Sequence, residues 1–221
     1  MRILPALLNS TIQQFSDELN TLKSDFNHFS IDIQDGSFVN SLTISTADIL
    51  AYFSQHSYPK KISFDFDLMT WDYKTSLKDI EKIQQFVTVK NVFLHAGLLE
   101  DKVLPKSDLL TIGLALNPPD KVNTLGFCKD LKDIACIQIM MIDSGPQGQP
   151  FMAEMLNKVG ELRKDNYRGE IFLDGGINHE SLPVISAYPY KPDFLCVGSY
   201  LCKAGNQQPE RIRYLKSVET S

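Results

Sequence analysis

The sequence predicts a (β/α)8 barrel with a parallel eight-stranded core. Short apolar runs, each followed by a turn and a longer amphipathic segment, recur eight times in the 221 residues. Strict alternation of strand and helix patterns favours a parallel sheet. The chain has about 28 residues per unit, close to the roughly 31 per unit of a typical barrel, which has ~250 residues in eight units. From periodicity alone, an open doubly wound sheet remains the alternative.

The elements follow from two periods in the apolar pattern. Short apolar runs predict strands at Ile3–Leu8, His28–Ile33, Ile62–Leu68, Val89–His95, Thr111–Leu116, Ile134–Ile142, Glu170–Leu173 and Asp193–Val197. Helical spacing predicts helices at Ile12–Lys23, Thr46–His56, Ser76–Phe86, Asp120–Leu131, Phe151–Arg163, Glu180–Ala187 and after Gly205, with a weaker pattern at Leu98–Val103. Start signals precede three of these helices: Asp72, Pro118-Pro119 and Asn178.

Composition excludes several classes of function. No linker rich in Pro, Gly or Ser divides the chain, so we expect residues 1–221 to form a single domain. The net charge of -5 argues against nucleic-acid and anionic-membrane partners, and no apolar run reaches membrane-spanning length. The four cysteines (Cys128, Cys136, Cys196, Cys202) lack paired spacing. We therefore expect reduced thiols and a cytoplasmic protein.

Functional side chains cluster at the carboxyl ends of the predicted strands, the edge at which barrels carry active sites. They are Asn9, Asp32, Asp35, Asp67, Met69, His95, Asn117, Met140, Asp143, Asp174, Gly198 and Ser199. Asp32 shares one strand face with Ser30 and Gln34, because side chains alternate along a strand. A buried carboxylate costs several kcal/mol unless it has a partner or a chemical task. Asp174 likewise ends an apolar run, and the clustering of these polar side chains at one edge indicates an enzyme.

Seven motifs, in order along nearly the whole chain, resemble the ribulose-phosphate 3-epimerase family. They are Leu4-Pro-Ala-Leu-Leu-Asn9, Ile31-Asp-Ile-Gln-Asp-Gly-Ser-Phe-Val-Asn40, Asp65-Phe-Asp-Leu-Met69, Leu114-Ala-Leu-Asn-Pro118, Gly145-Pro-Gln-Gly-Gln-Pro-Phe151, Leu173-Asp-Gly-Gly-Ile-Asn178 and Val197-Gly-Ser199. The resemblance implies a barrel that acts on a ketose phosphate. It also implies that Asp32 and Asp174 are the acid-base pair and that the protein is a homo-oligomer.

The chemistry of epimerisation explains why two acids are needed. Inverting the carbon next to a ketone removes its proton from one face, forms an enediolate and returns a proton to the other face. One base cannot reach both faces, whereas acids on the second and seventh strands could address both. Without this context, Asp174 could equally be a turn residue and Asp32 a carboxylate bound to a nearby backbone amide.

Glycines after the last three strands predict a phosphate site. Backbone N–H groups in glycine-rich turns converge on anions, and barrels commonly hold phosphate in these loops. The candidates are Gly145, Gly148, Gly175, Gly176, Gly198 and Ser199. A single glycine pair is more often an ordinary turn, so the prediction depends on three such loops being neighbours.

The chain departs from the family pattern at the metal site. The resemblance implies a divalent metal held by two aspartates and two histidines, but Ser30 and Asp67 stand at the histidine positions. His28 lies about 13 Å from Asp32 along the strand and is no substitute. Asp32, Asp67 and Asp174 would form an all-oxygen set that suits Mg²⁺ or Mn²⁺ better than Zn²⁺. The alternative is that no metal binds and that at least one of the three acids is protonated near neutral pH.

Smaller departures affect substrate binding. Asn9 stands at a family serine and can still bind a hydroxyl, and Gln34 replaces a methionine. Met69 and Met140 keep the family's methionines, although core packing would explain them equally well. His95 matches a family histidine, but a lone histidine at a strand end is as often structural.

Three functions remain possible at this point. The first is a pentulose- or hexulose-phosphate 3-epimerase with an altered metal site. The second is a sugar-acid lyase or decarboxylase on the same scaffold, which is disfavoured because Asp67 stands where such enzymes carry a lysine. The third is a non-catalytic or repurposed sugar-phosphate-binding barrel. Loss of both metal histidines favours the third function, and retention of both acids favours the first.

Overall fold

The computed structural model of the chain describes residues 1–99, 103–122, 131–145 and 148–219, and its eight strands close into a barrel in chain order. The strands are β1 (Arg2–Leu7), β2 (His28–Gln34), β3 (Ser63–Met69), β4 (Thr88–His95), β5 (Thr111–Leu116), β6 (Cys136–Met140), β7 (Glu170–Asp174) and β8 (Phe194–Val197). Every neighbouring pair is parallel, including β1 with β8. This confirms the barrel and rules out the open sheet.

The described helices cover the outside of the barrel. They are α1 (Ile12–Leu22), α2 (Thr46–Gln55), α3 (Tyr73–Ile83), α4 (Leu156–Lys164), α5 (Ser181–Ala187), α6 (Ser199–Cys202) and α7 (Gln208–Glu219). Most of the helix predicted at Asp120–Leu131 lies outside the described residues. Ala96–Leu98 is a short 3-10 turn, and the rest of the weak Leu98–Val103 pattern is largely undescribed.

Local sequence explains where the helices begin. Thr11 caps α1 by accepting a hydrogen bond from the Gln14 amide. Ser45 and Asp48 form a reciprocal capping box at the start of α2. Each helix then buries one face against the strands, as α1 does with Phe15, Leu19 and Leu22. Within the described ranges, no helix is long and apolar enough to cross a bilayer.

The floor of the barrel is apolar and aromatic. Its inward side chains are Leu4, Ala6, Phe93, Ala115, Cys136, Phe172, Phe194 and Cys196. The rings of Phe172 and Phe194 stack with centroids 4.3 Å apart. Gly113 makes room for this packing, since a Cβ there would lie 2.8 Å from the Phe93 ring. The floor therefore closes one end of the barrel interior, with the buried polar group His28, Asp65 and Asn91 beside it, and the candidate residues lie at the other end.

Strand register aligns the polar side chains. Asp32 pairs with Asp67 and Gln34 with Met69 across β2 and β3, while Met140 pairs with Asp174 across β6 and β7. Paired residues point to the same side of a sheet. The inward faces of these four strands thus bring the candidate residues to one mouth.

Candidate active site

The two predicted acids lie at the base of one cleft at the carboxyl ends of the strands. Asp32 and Asp174 line it and are only 6% and 8% exposed. Asp32 is on β2 and Asp174 is on β7, and two strands, β1 and β8, separate them along the shorter path around the barrel. The two side chains therefore approach each other across part of the mouth.

Eight of the nine predicted substrate-binding residues also line this cleft. They are Met69, Met140, Gly145, Gly148, Gly175, Gly176, Gly198 and Ser199. The ninth, Asn9, is not among the lining residues, and its Nδ2 donates to Glu18 of α1 at 2.8 Å. Its predicted contact with substrate stays a prediction.

Glycine is required at two places in the wall. Gly175 has a φ of +99°, and a Cβ there would lie 2.3 Å from Ile142 Cγ1. Gly176 has a φ of +67°, and its Cβ would lie 3.0 Å from the backbone of Phe151. Other residues rarely adopt these angles. The loop after β7 can therefore run close to Phe151 only with glycine at both positions.

A third acid joins the pair. One oxygen from each of Asp32, Asp67 and Asp174 lies within 4.8 Å of the other two. Asp67 is fully buried, and Ser30 lies beside this group on β2 at 2% exposure. The three acids predicted as a metal set are thus adjacent, with no histidine among them.

Asp67 already has partners for both oxygens. His95 Nε2 lies 2.9 Å from Oδ1, and Gln138 Nε2 donates to Oδ2 at 2.7 Å. The same Gln138 nitrogen lies 3.5 Å from Asp174 Oδ2. An ion bridging Asp67 and Asp174 would compete with this amide for the same oxygens. Asp67 therefore does not fit the role of a free metal ligand.

His95 extends this network to the loops after β5 and β6. Its Nδ1 lies 3.0 Å from Asn117 Oδ1, which also accepts a 2.5 Å hydrogen bond from Ser144. The His95 side chain is fully buried. His28 belongs elsewhere, because its Nε2 lies 3.0 Å from Asp65 Oδ1 near the floor, although not in line for a hydrogen bond.

Burial and like charges shift the acidity of the group. Burial, and then the charges of Asp174 and Asp67, raise the pKa of Asp32 well above its usual value. Burial and Asp67 raise the pKa of Asp174 from 3.8 to about 7, against an opposing effect of His95. Burial alone would lower the pKa of His95, but the charge and hydrogen bond of Asp67 raise it overall.

Gln138 was missed by the sequence reasoning, which treated it as part of the apolar run Ile134–Ile142. Its signal is that it is the polar residue in the middle of that run, two positions before Met140. Two glutamines flank the cleft in similar ways: Gln34 Nε2 lies 3.3 Å from Met69 Sδ, and Gln138 Nε2 lies 3.4 Å from Met140 Sδ. The Oε1 atoms of both are buried, and neither has a hydrogen-bond partner among the residues that the structure describes.

Comparison with known proteins points to one family. Residues 2–201 match the Ribulose-phosphate 3 epimerase family. The chain is 26% identical to the ribulose-phosphate 3-epimerase of Encephalitozoon cuniculi, covering 98% of this chain and 93% of that protein. It is 24% identical to the Rhodobacter capsulatus ribulose-phosphate 3-epimerase, covering 99% and 92%.

Solved structures show the same fold at lower identity. A mutant tryptophan synthase alpha-subunit from Pyrococcus furiosus superposes with a TM-score of 0.58 at 12% identity, covering 98% of this chain and 95% of that one. A 4-hydroxy-2-oxoglutarate aldolase/2-deydro-3-deoxyphosphogluconate aldolase from TTHB1 has a TM-score of 0.53 at 15% identity, covering 98% and 94%. At these identities the likeness concerns the fold alone.

Proposed function

Because the chain belongs to the ribulose-phosphate 3-epimerase family, we propose that it is an epimerase acting at C3 of a ketose phosphate, either a pentulose or a hexulose phosphate. The observation that carries the proposal is the pair formed by Asp32 and Asp174, buried at the base of a cleft whose walls are glycine loops. The reaction is a 1,1-proton transfer through an enediolate.

Asp174 and Asp32 have complementary roles in this reaction. Asp174, with a pKa of about 7, takes the C3 proton as a carboxylate. Asp32, whose pKa burial and neighbouring charges raise well above its usual value, delivers its own proton to the opposite face. One C–H bond breaks and another forms, and no electrons leave the sugar. The reverse reaction uses the two acids in exchanged roles, or exchange with water resets them.

The glycine loops support binding of the substrate phosphate. Gly175, Gly176, Gly198 and Ser199 lie together on one side of the cleft. Among the described residues that line it there is no lysine or arginine. Backbone N–H groups would therefore supply most of the recognition of the phosphate.

Two further expectations come from the family. The first is a divalent ion, for which the all-oxygen set would favour Mg²⁺ or Mn²⁺ over Zn²⁺. His95 and Gln138 already occupy both oxygens of Asp67, so the residues present do not fit that ion. The protein would also be a homo-oligomer, which light scattering coupled to size exclusion tests directly.

The second candidate function is a sugar-phosphate-binding barrel without epimerase activity. It is favoured by Ser30 and Asp67, which stand where the family carries metal-binding histidines. In this case the cleft would bind the phosphate, and the two acids would not exchange the proton at C3.

Deuterium exchange separates the two functions. The protein is incubated with ribulose 5-phosphate and related ketose phosphates in D₂O, with and without Mn²⁺ or Mg²⁺, and NMR follows deuterium entry at C3. We expect exchange in the native protein and a loss of at least about 100-fold in Asp32→Asn and Asp174→Asn. Exposed Asp165 on the outside of the barrel provides the matched control, Asp165→Asn. Phosphate binding without exchange under any cation would establish the second function.

A further inference from the structure

The third acid of the site needs a positive partner. Asp67 stands where the family carries an uncharged imidazole, and it is fully buried within 4.8 Å of two other acids. A buried charge without compensation destabilises the folded state. The structure therefore has to neutralise Asp67 through an ion or through its own side chains.

His95 supplies this neutralisation. Asn117 Oδ1 accepts a hydrogen bond from Ser144, and its contact with His95 Nδ1 therefore has the hydrogen on the histidine. A second hydrogen then lies between His95 Nε2 and Asp67 Oδ1, which are 2.9 Å apart. Whichever of these two atoms holds it, His95 and Asp67 together carry no net charge. Asp67 thus brings no net negative charge toward a cation.

Gln138 fills the space between the other two carboxylates. Its amide nitrogen lies 2.7 Å from Asp67 Oδ2 and 3.5 Å from Asp174 Oδ2. The two hydrogens of the amide can serve both oxygens, as a bridging cation would. Gln138 is fully buried, and its neighbour Ala115 on β5 is small enough to leave room for it.

We propose that Asp67, His95 and Gln138 form a built-in replacement for the divalent metal, so that this chain works without a bound cation. His95 neutralises the third acid, and the Gln138 amide links Asp67 to Asp174 and holds Asp174 in position. Asp32 and Asp174 are left as the proton-transferring pair. The catalytic part of this inference rests on the proposed epimerase function, whereas the absence of a cation does not.

The first test measures cation binding directly. The native protein is prepared in EDTA, its metal content is measured by mass spectrometry, and Mn²⁺ is titrated while electron paramagnetic resonance follows the free ion. We expect substoichiometric metal and no Mn²⁺ binding up to about 1 mM, the weak end of the affinity scale. A stoichiometric ion that survives purification, or saturable Mn²⁺ binding below that concentration, would overturn the proposal.

The second test uses two matched variants. Gln138→Leu removes the amide between the carboxylates at similar size. Gln34→Leu removes a buried amide whose nitrogen, within the described residues, donates to a methionine sulfur and a backbone carbonyl but to no carboxylate. We expect Gln138→Leu alone to gain Mn²⁺ binding. Equal Mn²⁺ binding by both variants would refute the role of Gln138. If Gln138→Leu does not fold, the native titration still decides.

The third test separates this proposal from the proposed function. Deuterium exchange at C3 should stay within about twofold when EDTA is added to the native protein, and should fall at least about tenfold in Gln138→Leu. Exchange that disappears in EDTA and returns with Mn²⁺ would overturn the metal replacement and leave the epimerase intact. No exchange under any condition would refute the epimerase function, while the Mn²⁺ titrations would still test the replacement.

Discussion

Asp174→Asn should make the protein more stable at alkaline pH while removing its activity. In the native protein the pKa of Asp174 is raised from 3.8 to about 7, first by burial and then by Asp67. The folded pKa lies above the unfolded one. The protonated carboxyl of Asp174 therefore stabilises the folded state fully below about pH 4, and this stabilisation is lost as the pH rises through about 7.

The size of the effect follows from this shift. One pKa unit corresponds to about 1.4 kcal/mol, so ionised Asp174 costs the folded state about 4 kcal/mol at pH 8. At pH 4 the cost is below about 1 kcal/mol, because the carboxyl is largely protonated in the folded protein and half protonated in the unfolded chain. Asparagine has nearly the same shape and carries no charge at either pH.

The assay is urea unfolding in EDTA at pH 4 and pH 8, comparing the free energy of unfolding of native protein, Asp174→Asn and Asp165→Asn. Any packing effect of the substitution adds the same offset at both pH values, because the asparagine side chain ionises at neither. The test is therefore the difference between the two pH values, expected at about 3 to 4 kcal/mol for Asp174→Asn. A difference below about 1 kcal/mol, or one that Asp165→Asn shares, would refute the argument from burial.

Three further predictions concern stability and are measured by urea unfolding at neutral pH. Gly175→Ala should lower the free energy of unfolding by about 1 to 3 kcal/mol or more, because its Cβ would overlap Ile142 at a positive φ. Gly205→Ala is the control: Gly205 also has a positive φ, but its Cβ would meet open space, so the substitution should cost less. Equal costs would exclude the overlap as the cause. Phe172→Ala should cost about 3 to 5 kcal/mol by opening a cavity in the stacked floor, and a cost below about 1 kcal/mol would mean that the floor collapses around it. Ser45→Ala should cost about 1 kcal/mol through loss of the α2 capping box, and no change would show that water replaces the cap.

The fold was predictable because it depends on the spacing of apolar residues along each segment, and a single residue rarely changes that spacing. All eight strands were expected, and the closed barrel confirms the parallel core. Helix bounds were less accurate. The helix expected at Phe151–Arg163 begins only at Leu156, after a 3-10 turn at Ala153–Met155. Met152 N donates to Met141 O, which holds the preceding segment in a non-helical path beside the cleft. A contact between residues on two loops is not visible in local spacing.

The site was predictable only in part. Strand-end placement found Asp32, Asp67 and Asp174, and the structure brings their oxygens together. Strand-end placement could not predict that Gln138 joins Asp67 to Asp174. That contact depends on the register of β6 with β7 and on which strands face each other across the barrel. Asn9 is the opposite case: its position predicted a contact with substrate, but its amide donates to Glu18 of the neighbouring helix. Strand patterns indicate which side chains point inward but not which of them meet.

The two buried acids of β3 link distant parts of the chain. Asp65 Oδ1 accepts hydrogen bonds from the backbone and side chain of Asn91 on β4, so its donors come from the first half of the barrel. Asp67 instead needs Gln138 on β6 as well as His95 on β4. A chain that ended after β5 would lack the amide that donates to Asp67 Oδ2. The polar interior therefore makes the two halves of the barrel fold as one cooperative unit, and a half-barrel of this sequence should be unstable alone.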